Sequence, residues 1–223
     1  MRKEMTSALV LMGLMLLPVL AFAVSSGELS DADQALLDAA VTDQARFEIL
    51  TAMATERPDD AVVQFQLGNV LYDLGQLEAS IEAYRAAITI DDQLVGAYVN
   101  LGSAHDELGR LGDAITAYEA ALKLDPTDAR TLCNMGGAYF QKRRYEKAMQ
   151  YFLDALAADP DSQLAHYNIA IAFADAQIYR EAIREWQAAV DIDADSDIGQ
   201  RSADNVEIIK QMMSAEIPDV EGR

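Results

Sequence analysis

Apolar and polar positions alternate in a helical rhythm along most of the chain. In residues 95–128, Tyr98, Leu101, Gly102 and His105 follow at intervals of three, one and three, which places them on one helical face. Gly109 interrupts. Ala114, Tyr118 and Ala121 follow at intervals of four and three, on one face of a second helix. Asp125-Pro126 ends it, because proline lacks an amide hydrogen and clashes with the preceding helical turn. The pattern predicts helix, turn, helix, stop. Residues 33–57 also read as helical, through Ala35, Leu36, Ala39, Phe47, Leu50 and Met53. Residues 197–214 predict a last amphipathic helix, with Val206, Ile209 and Met213 inward and Arg201, Asp204 and Lys210 outward.

The unit recurs every 34 residues. Gly68, Gly102 and Gly136 form one column, continued by Ala170. Tyr84, Tyr118, Phe152 and Trp186 form a second, and Ala87, Ala121, Ala155 and Ala189 a third. Asn100, Asn134 and Asn168, preceded by Gln66, form a fourth. A glycine inside a helix costs about 1 kcal/mol against alanine, so its recurrence predicts close helix approach. The aromatic column is expected to fill the space between neighbouring units. A hairpin of this size cannot bury its faces alone, so the units must stack.

These columns resemble the tetratricopeptide repeat (TPR) family. Its signature is an aromatic, a Leu-Gly pair, a tyrosine, an alanine, an aromatic, an alanine and a proline. Residues 95–128 carry Tyr98, Leu101, Gly102, Ala114, Tyr118, Ala121 and Pro126, departing at His105. Residues 129–162 carry Gly136, Tyr139, Ala148, Phe152, Ala155 and Pro160, with Leu132 and Met135 as apolar stand-ins. Residues 163–196 carry Ile169, Ala170, Phe173, Ala182, Trp186 and Ala189, with Ala194 replacing the proline. Residues 61–94 keep Leu67, Gly68, Tyr84 and Ala87, with Ser80 and Asp92 where alanine and proline are expected. The resemblance implies an all-α, right-handed superhelical α-solenoid of helix-turn-helix repeats. Residues 33–60 would be N-terminal capping helices or a degenerate repeat, and 197–214 a C-terminal cap, since terminal units must cover an apolar face with a polar one.

The first 23 residues follow a different pattern. Arg2 and Lys3 precede an uncharged run from Ala8 to Val24, and Ala21-Phe22-Ala23 offers small residues at a cleavage site. This is the form of a secretory signal peptide. The run is short against the roughly 20 residues of a membrane span, so an uncleaved anchor is the alternative. The expected location is the periplasm or cell envelope. Residues 24–32 are expected to be a flexible linker and 215–223 a tail.

Charge narrows the partners. The chain has 37 acidic and 17 basic residues, a net of −20. That excess repels nucleic acid, and a membrane enters only through an uncleaved N-terminal segment. The excess favours a protein or peptide partner of basic character, or serves solubility as a solvated acidic coat. The single cysteine, Cys133, precludes an intramolecular disulfide.

In the family that the repeat resembles, the first helix of each unit lines a groove that takes partner peptides. The matching positions are Phe65, Asn69, Tyr72 and Asp73; Asn100, Ser103, Asp106 and Glu107; Arg130, Cys133, Asn134, Phe140 and Gln141; and Tyr167, Asn168 and Asp175. Amides there can bond an extended backbone or, as buried amides commonly do, only the neighbouring helices, and aromatics supply contact area. A family sub-type clamps acidic C-termini with lysines and an arginine. Phe65 and Asn134 stand where those cations are needed, although Asn69 and Asn100 agree and Arg130 keeps a positive charge. An acidic groove would repel a carboxylate, which excludes that sub-type.

Chemistry finds little footing. His105 and His166 lack ligand spacing, and no phosphate loop, nucleophile elbow or haem motif occurs. No cofactor is implied. Asp191, Asp193, Asp195 and Asp197 alternate like the start of a calcium loop, but Ser196 and Ser202 replace its glycine and its bidentate glutamate. Two expectations follow: a binding scaffold, or a fixed subunit of a membrane-associated complex.

Overall fold

The computed structural model describes residues 29–215. The expected signal peptide, residues 24–28 of the linker and residues 216–223 of the tail lie outside the described residues. Those described fall into two compact units, 29–126 and 127–215.

The N-terminal unit holds α1 (Asp31–Asp38), α2 (Asp43–Glu56), α3 (Ala61–Asp73), α4 (Leu77–Ile90), α5 (Val95–Glu107) and α6 (Leu111–Leu124). The C-terminal unit holds α7 (Ala129–Gln141), α8 (Tyr145–Ala158), α9 (Gln163–Asp175), α10 (Tyr179–Ile192) and α11 (Asp197–Ala215). No strand occurs among the described residues. Within each unit every helix packs on the next, and first helices also meet: α3 with α5, and α7 with α9. This is the all-α, stacked-hairpin solenoid construction that the repeat predicts.

The stretch 33–57 is two helices with a break at 39–42. Ser30 caps α1 by accepting from the Asp33 amide at 3.2 Å, so the helix starts inside the segment expected to be loose. Thr42 caps α2 in the same way. Two capping residues a dozen positions apart produce two starts. Leu37, Leu50 and Met53 then cover Val63 and Val70 of α3, as a terminal cap should.

The glycine column has a steric cause. A β-carbon on Gly68 would lie 2.5 Å from the Tyr84 ring, and one on Gly102 or Gly136 would lie 2.4 Å from Tyr118 or Phe152. The aromatic of each second helix therefore seats on the small residue of its own first helix. Tyr84 also joins Leu94, Ala97 and Ala104 of the next hairpin, so the expectation that aromatics bridge units holds there too. In the last repeat, Ala170 and Trp186 share one core with Val206 and Ile209 of α11.

The interhelix turns form a column that hydrophobic spacing does not reveal. Gly75, Gly109, Arg143 and Gln177 all adopt positive φ, at 71°, 69°, 56° and 62°. Each closes the same two bonds. In the first repeat, the Gly75 amide bonds the Tyr72 carbonyl and the Gln76 amide bonds the Leu71 carbonyl, both at 2.8 Å. This is the Schellman ending of a helix, which favours glycine. Left-handed backbone costs a residue with a β-carbon roughly 1–2 kcal/mol. Glycine's freer unfolded chain takes back about 0.4–1 kcal/mol. Arg143→Gly and Gln177→Gly are each expected to stabilise by about 0.5–1 kcal/mol. A thermal melt of each variant checks this, and a lowered melting temperature contradicts it.

The repeats stop at aspartate, with or without a following proline. Asp91, Asp125, Asp159 and Asp193 are extended residues after α4, α6, α8 and α10. Asp91 and Asp159 each accept the backbone amide two residues on, at 2.9 and 3.1 Å. Asp193 accepts from Asp195 and Ser196. The carboxylate supplies an alternative backbone turn, which is why the absence of proline after Asp91 and Asp193 changes nothing.

Candidate functional site: the first-helix faces

In the N-terminal unit, three expected groove residues are inside the protein. Phe65 is 1% exposed, with its ring 6.1 Å from that of Tyr84, so it belongs to the core. Position 65 is covered because α3 packs on both flanks: Val63 joins Leu50 and Met53 of α2, and Phe65 joins Ile81 and Tyr84 of α4 and Ala97 of α5. Asn100 is wholly buried, and its amide nitrogen donates to Asn69 Oδ1 at 2.8 Å. The Tyr84 hydroxyl donates to the same oxygen at 3.0 Å. Asn69 completes the chain by donating to Gln66 at 3.3 Å. Ser103 is buried, donates to the Val99 carbonyl and receives the Tyr118 hydroxyl at 3.4 Å. These amides bond helix to helix.

The outer ends of the same helices differ. Tyr72, Asp73, Asp106 and Glu107 lie at the C-terminal ends of α3 and α5, where the helices also present negative dipole ends. Asp73 and Glu107 are exposed, while Tyr72 and Asp106 are half-buried. Burial, then the charges of Glu107, Asp106 and Asp73, push the Tyr72 phenol well above its usual range. Burial and neighbouring Asp43 raise the Asp73 carboxyl, partly opposed by Arg46. Tyr118 is raised by burial first and then by Asp106. The Tyr72 hydroxyl has no hydrogen-bond partner among the described residues. Asp73, Asp106 and Glu107 thus set negative charge near the Tyr72 ring, with Asp73 and Glu107 exposed.

In the C-terminal unit, Phe140 is 6% exposed and lies edge-on to Tyr145, with centroids 5.3 Å apart. Tyr167 is 4% exposed, its phenol pushed up by burial and held by Asn205 of α11. Asn168 is buried, with Oδ1 unpartnered among the described residues. These three line the core and the cap. Arg130, Asn134 and Gln141 are half-buried, and Asp175 is exposed.

The reactive side chains are occupied or buried. Cys133 is wholly buried, 4.0 Å from Ser162 Oγ, and burial pushes its thiol up to about 12. His166 Nδ1 is 2.9 Å from Glu185 Oε2, and Nε2 is 3.3 Å from the Pro160 carbonyl. Among the described residues no group of three or more His, Cys, Asp and Glu side chains is placed to hold a metal. In the acidic run, the Asp193 carboxylate is used by backbone amides.

His105 stands where the family signature has tyrosine, and it is buried on α5. Burial lowers its pKa, with Asp113 partly opposing. The folded state therefore resists protonation. The stability it contributes is full above the unfolded value of about 6.5 and is lost as pH falls below it. Wild type is expected to lose more stability than His105→Gln on going from about pH 7 to about pH 5. Parallel losses in both melts would show that His105 does not matter.

Hydrophobic spacing alone reaches neither the positive-φ turns nor the aspartate stops. The aspartate stops do show as a 34-residue column once aligned, whereas glycine marks only the first two turns, at Gly75 and Gly109.

The comparisons agree with this geometry. A family model described as Tetratricopeptide repeat matches residues 99–163 and 133–197, and one described as TPR repeat matches residues 68–109. No curated protein matches the sequence. Among solved structures, a thermophilic TPR protein of Thermus thermophilus, TTC0263, is similar at TM-score 0.66 and 19% identity, over 74% of this chain and 91% of that one. MamA from Desulfovibrio magneticus is similar at TM-score 0.64 and 18% identity, over 75% of this chain and 94% of that one. At such identities the likeness is one of fold. With repeat matches running from residue 68 to residue 197 and hairpins of the same construction, the chain belongs to the tetratricopeptide repeat family.

Proposed function

We propose that this protein is a non-catalytic scaffold that captures an extended, basic segment of a partner protein, in assembly, secretion or biogenesis of the cell envelope. TPR proteins generally mediate protein–protein interaction. The observation that carries the finer reading is the Tyr72 phenol set among Asp73, Asp106 and Glu107. Three carboxylates accept from ammonium or guanidinium groups, and a tyrosine face attracts a cation. A bound cation would also draw the raised Asp73 carboxyl back down.

The test is binding of labelled lysine- and arginine-rich peptides, with acidic peptides as controls. Asp73→Asn combined with Glu107→Gln is expected to weaken capture at least tenfold, which is about 1.4 kcal/mol. Both side chains are exposed, so the fold should persist. Equal binding by the double variant would exclude this face. Phe140 is a poor probe, because its loss would open the core.

The cell-envelope assignment rests on the run from Ala8 to Val24 after Arg2 and Lys3. N-terminal sequencing of protein from its native source tests it. A start at Val24 supports a released scaffold. An intact Met1 in a membrane fraction supports the anchored subunit.

A further inference from the structure

The net charge of −20 is unevenly placed, and in the C-terminal unit the two ends of the hairpins differ in sign. The helices there alternate in direction. Phe140 at the end of α7 meets Tyr145 at the start of α8, and Gln163 at the start of α9 bonds the Ala189 and Asp193 carbonyls at the end of α10. The turns 142–144 and 176–178 therefore emerge at one end, and the aspartate stops at the other. The stop end carries Asp159, Asp161, Asp191, Asp193, Asp195 and Asp197. The turn end carries Lys142, Arg143, Arg144, Lys147 and Arg180, against Glu146, Asp175 and Glu181.

The cations of the turn end are not spent inside the fold. Lys142, Arg143 and Arg144 are exposed and form no salt bridge among the described residues. Cations do favour a helix C-terminus, but α3 and α9 end in the same turn with Gly75-Gln76 and Gln177-Ile178 at those places. Arg143 even holds left-handed backbone, at φ 56°, where glycine sits without strain. Apolar surface lies beside these charges. Tyr145 is 45% exposed and edge-on to Phe140, and Ile178 of the next turn is 43% exposed. Cations around an exposed tyrosine and an exposed aliphatic side chain are the composition of a membrane-interface contact.

We propose that the turn end of the C-terminal unit docks on an anionic lipid surface, with Lys142, Arg143 and Arg144 against the headgroups and Tyr145 and Ile178 at their level. Each cation near such a leaflet contributes roughly fivefold to binding, so three give on the order of a hundredfold. The stop end does not cancel this. Helices α7 to α10 have 13 or 14 residues each, which is about 20 Å of length, and the screening length at physiological salt is about 8 Å. The aspartates are thus held beyond two screening lengths from the lipid, and their residual repulsion fixes which end turns towards it. The expectation that a membrane enters only through the N-terminal segment treated the charge as evenly spread. This contact lies in the other unit from the Tyr72 face and is independent of it.

The test is flotation of the full chain with vesicles of phosphatidylcholine, and with vesicles of equal parts phosphatidylcholine and phosphatidylglycerol. The ratio of the two affinities cancels what the N-terminal apolar run contributes to both. Wild type is expected to favour the anionic vesicles by on the order of a hundredfold at about 0.1 M salt, and to lose most of that preference at about 1 M. K142Q/R143Q/R144Q is expected to abolish the preference. Its fold should persist, because Gln177 already takes the left-handed position in the last repeat and Gln76 the position after it in the first. Equal binding to both vesicles by wild type overturns the proposal. So does a preference that K142Q/R143Q/R144Q keeps, which would place the attraction at other cations such as Arg2 and Lys3. Unchanged binding by Y145S/I178S overturns it as well, because those side chains would then not meet the lipid. Capture of polyglutamate by the turn, in a protein without lipid preference, would overturn it in favour of an acidic protein segment.

Discussion

Trp186→Ala is expected to destabilise the C-terminal unit by about 3–5 kcal/mol, the usual loss for truncating a buried tryptophan. Trp186 is 2% exposed and is the largest side chain of a core that also holds Phe152, Tyr167, Ala170, Val206 and Ile209. That core joins α7, α8, α9, α10 and α11, so one cavity loosens every hairpin contact of the unit at once. Against a typical total of about 5–15 kcal/mol, such a loss leaves the unit marginal. The chain has one tryptophan, so far-ultraviolet dichroism must report the melt. Trp186→Phe should cost much less. It keeps an aromatic where Phe152 already serves in the previous repeat, and it removes an indole N–H that is buried without a partner among the described residues. Equal losses in the two variants would show that ring volume is not what the position contributes.

Gly102→Val is expected to cost about 1–3 kcal/mol through overpacking. Its β-carbon would sit 2.4 Å from the Tyr118 ring, which cannot swing away. Tyr118 is 1% exposed, and its hydroxyl reaches Ser103. Either the ring leaves its rotamer or α5 and α6 separate. Gly102→Ala should be milder, because alanine recovers about 1 kcal/mol of helix propensity. The last repeat shows the tolerance, with Ala170 and Trp186 buried in one core. Val at 102 should also cost less in a Tyr118→Ala background, a coupling that a double-mutant cycle reads directly. Additive losses would contradict the steric account of the glycine column.

Repeat identity was legible because it is written in residue types at a fixed interval. Gly68, Gly102 and Gly136 mark close approach, and Tyr84, Tyr118, Phe152 and Trp186 mark what approaches. The substitution at Ser80 was harmless for a reason visible only in three dimensions: its hydroxyl donates to the Leu77 carbonyl at 2.8 Å, so a polar atom is buried with a partner. Groove membership was less legible. A first helix is buried on nearly all sides, and the spacing of three and four does not say which flank faces water. Phe65 and Phe140, each carried over from the family's groove positions, entered the core. Asn100 and Ser103 are held inside by neighbours from other helices. Tyr72, Asp73 and Glu107 emerge because they sit at helix ends, beyond the reach of the next hairpin.

The hairpin, its period, its small and aromatic contacts and the acidic balance of the chain can all be read from residue order and composition. These depend on local spacing and on composition, which need no partner in space. That Arg143 and Gln177 take the left-handed turn that glycine takes elsewhere came from packing in three dimensions, which holds each turn closed through the same two backbone bonds against its strain. It also brought Asp73, Asp106 and Glu107 near the Tyr72 phenol, while Lys142, Arg143 and Arg144 form no salt bridge among the described residues. Charge pairing depends on which side chains reach one another, and residues far apart in the chain meet only once the helices have packed.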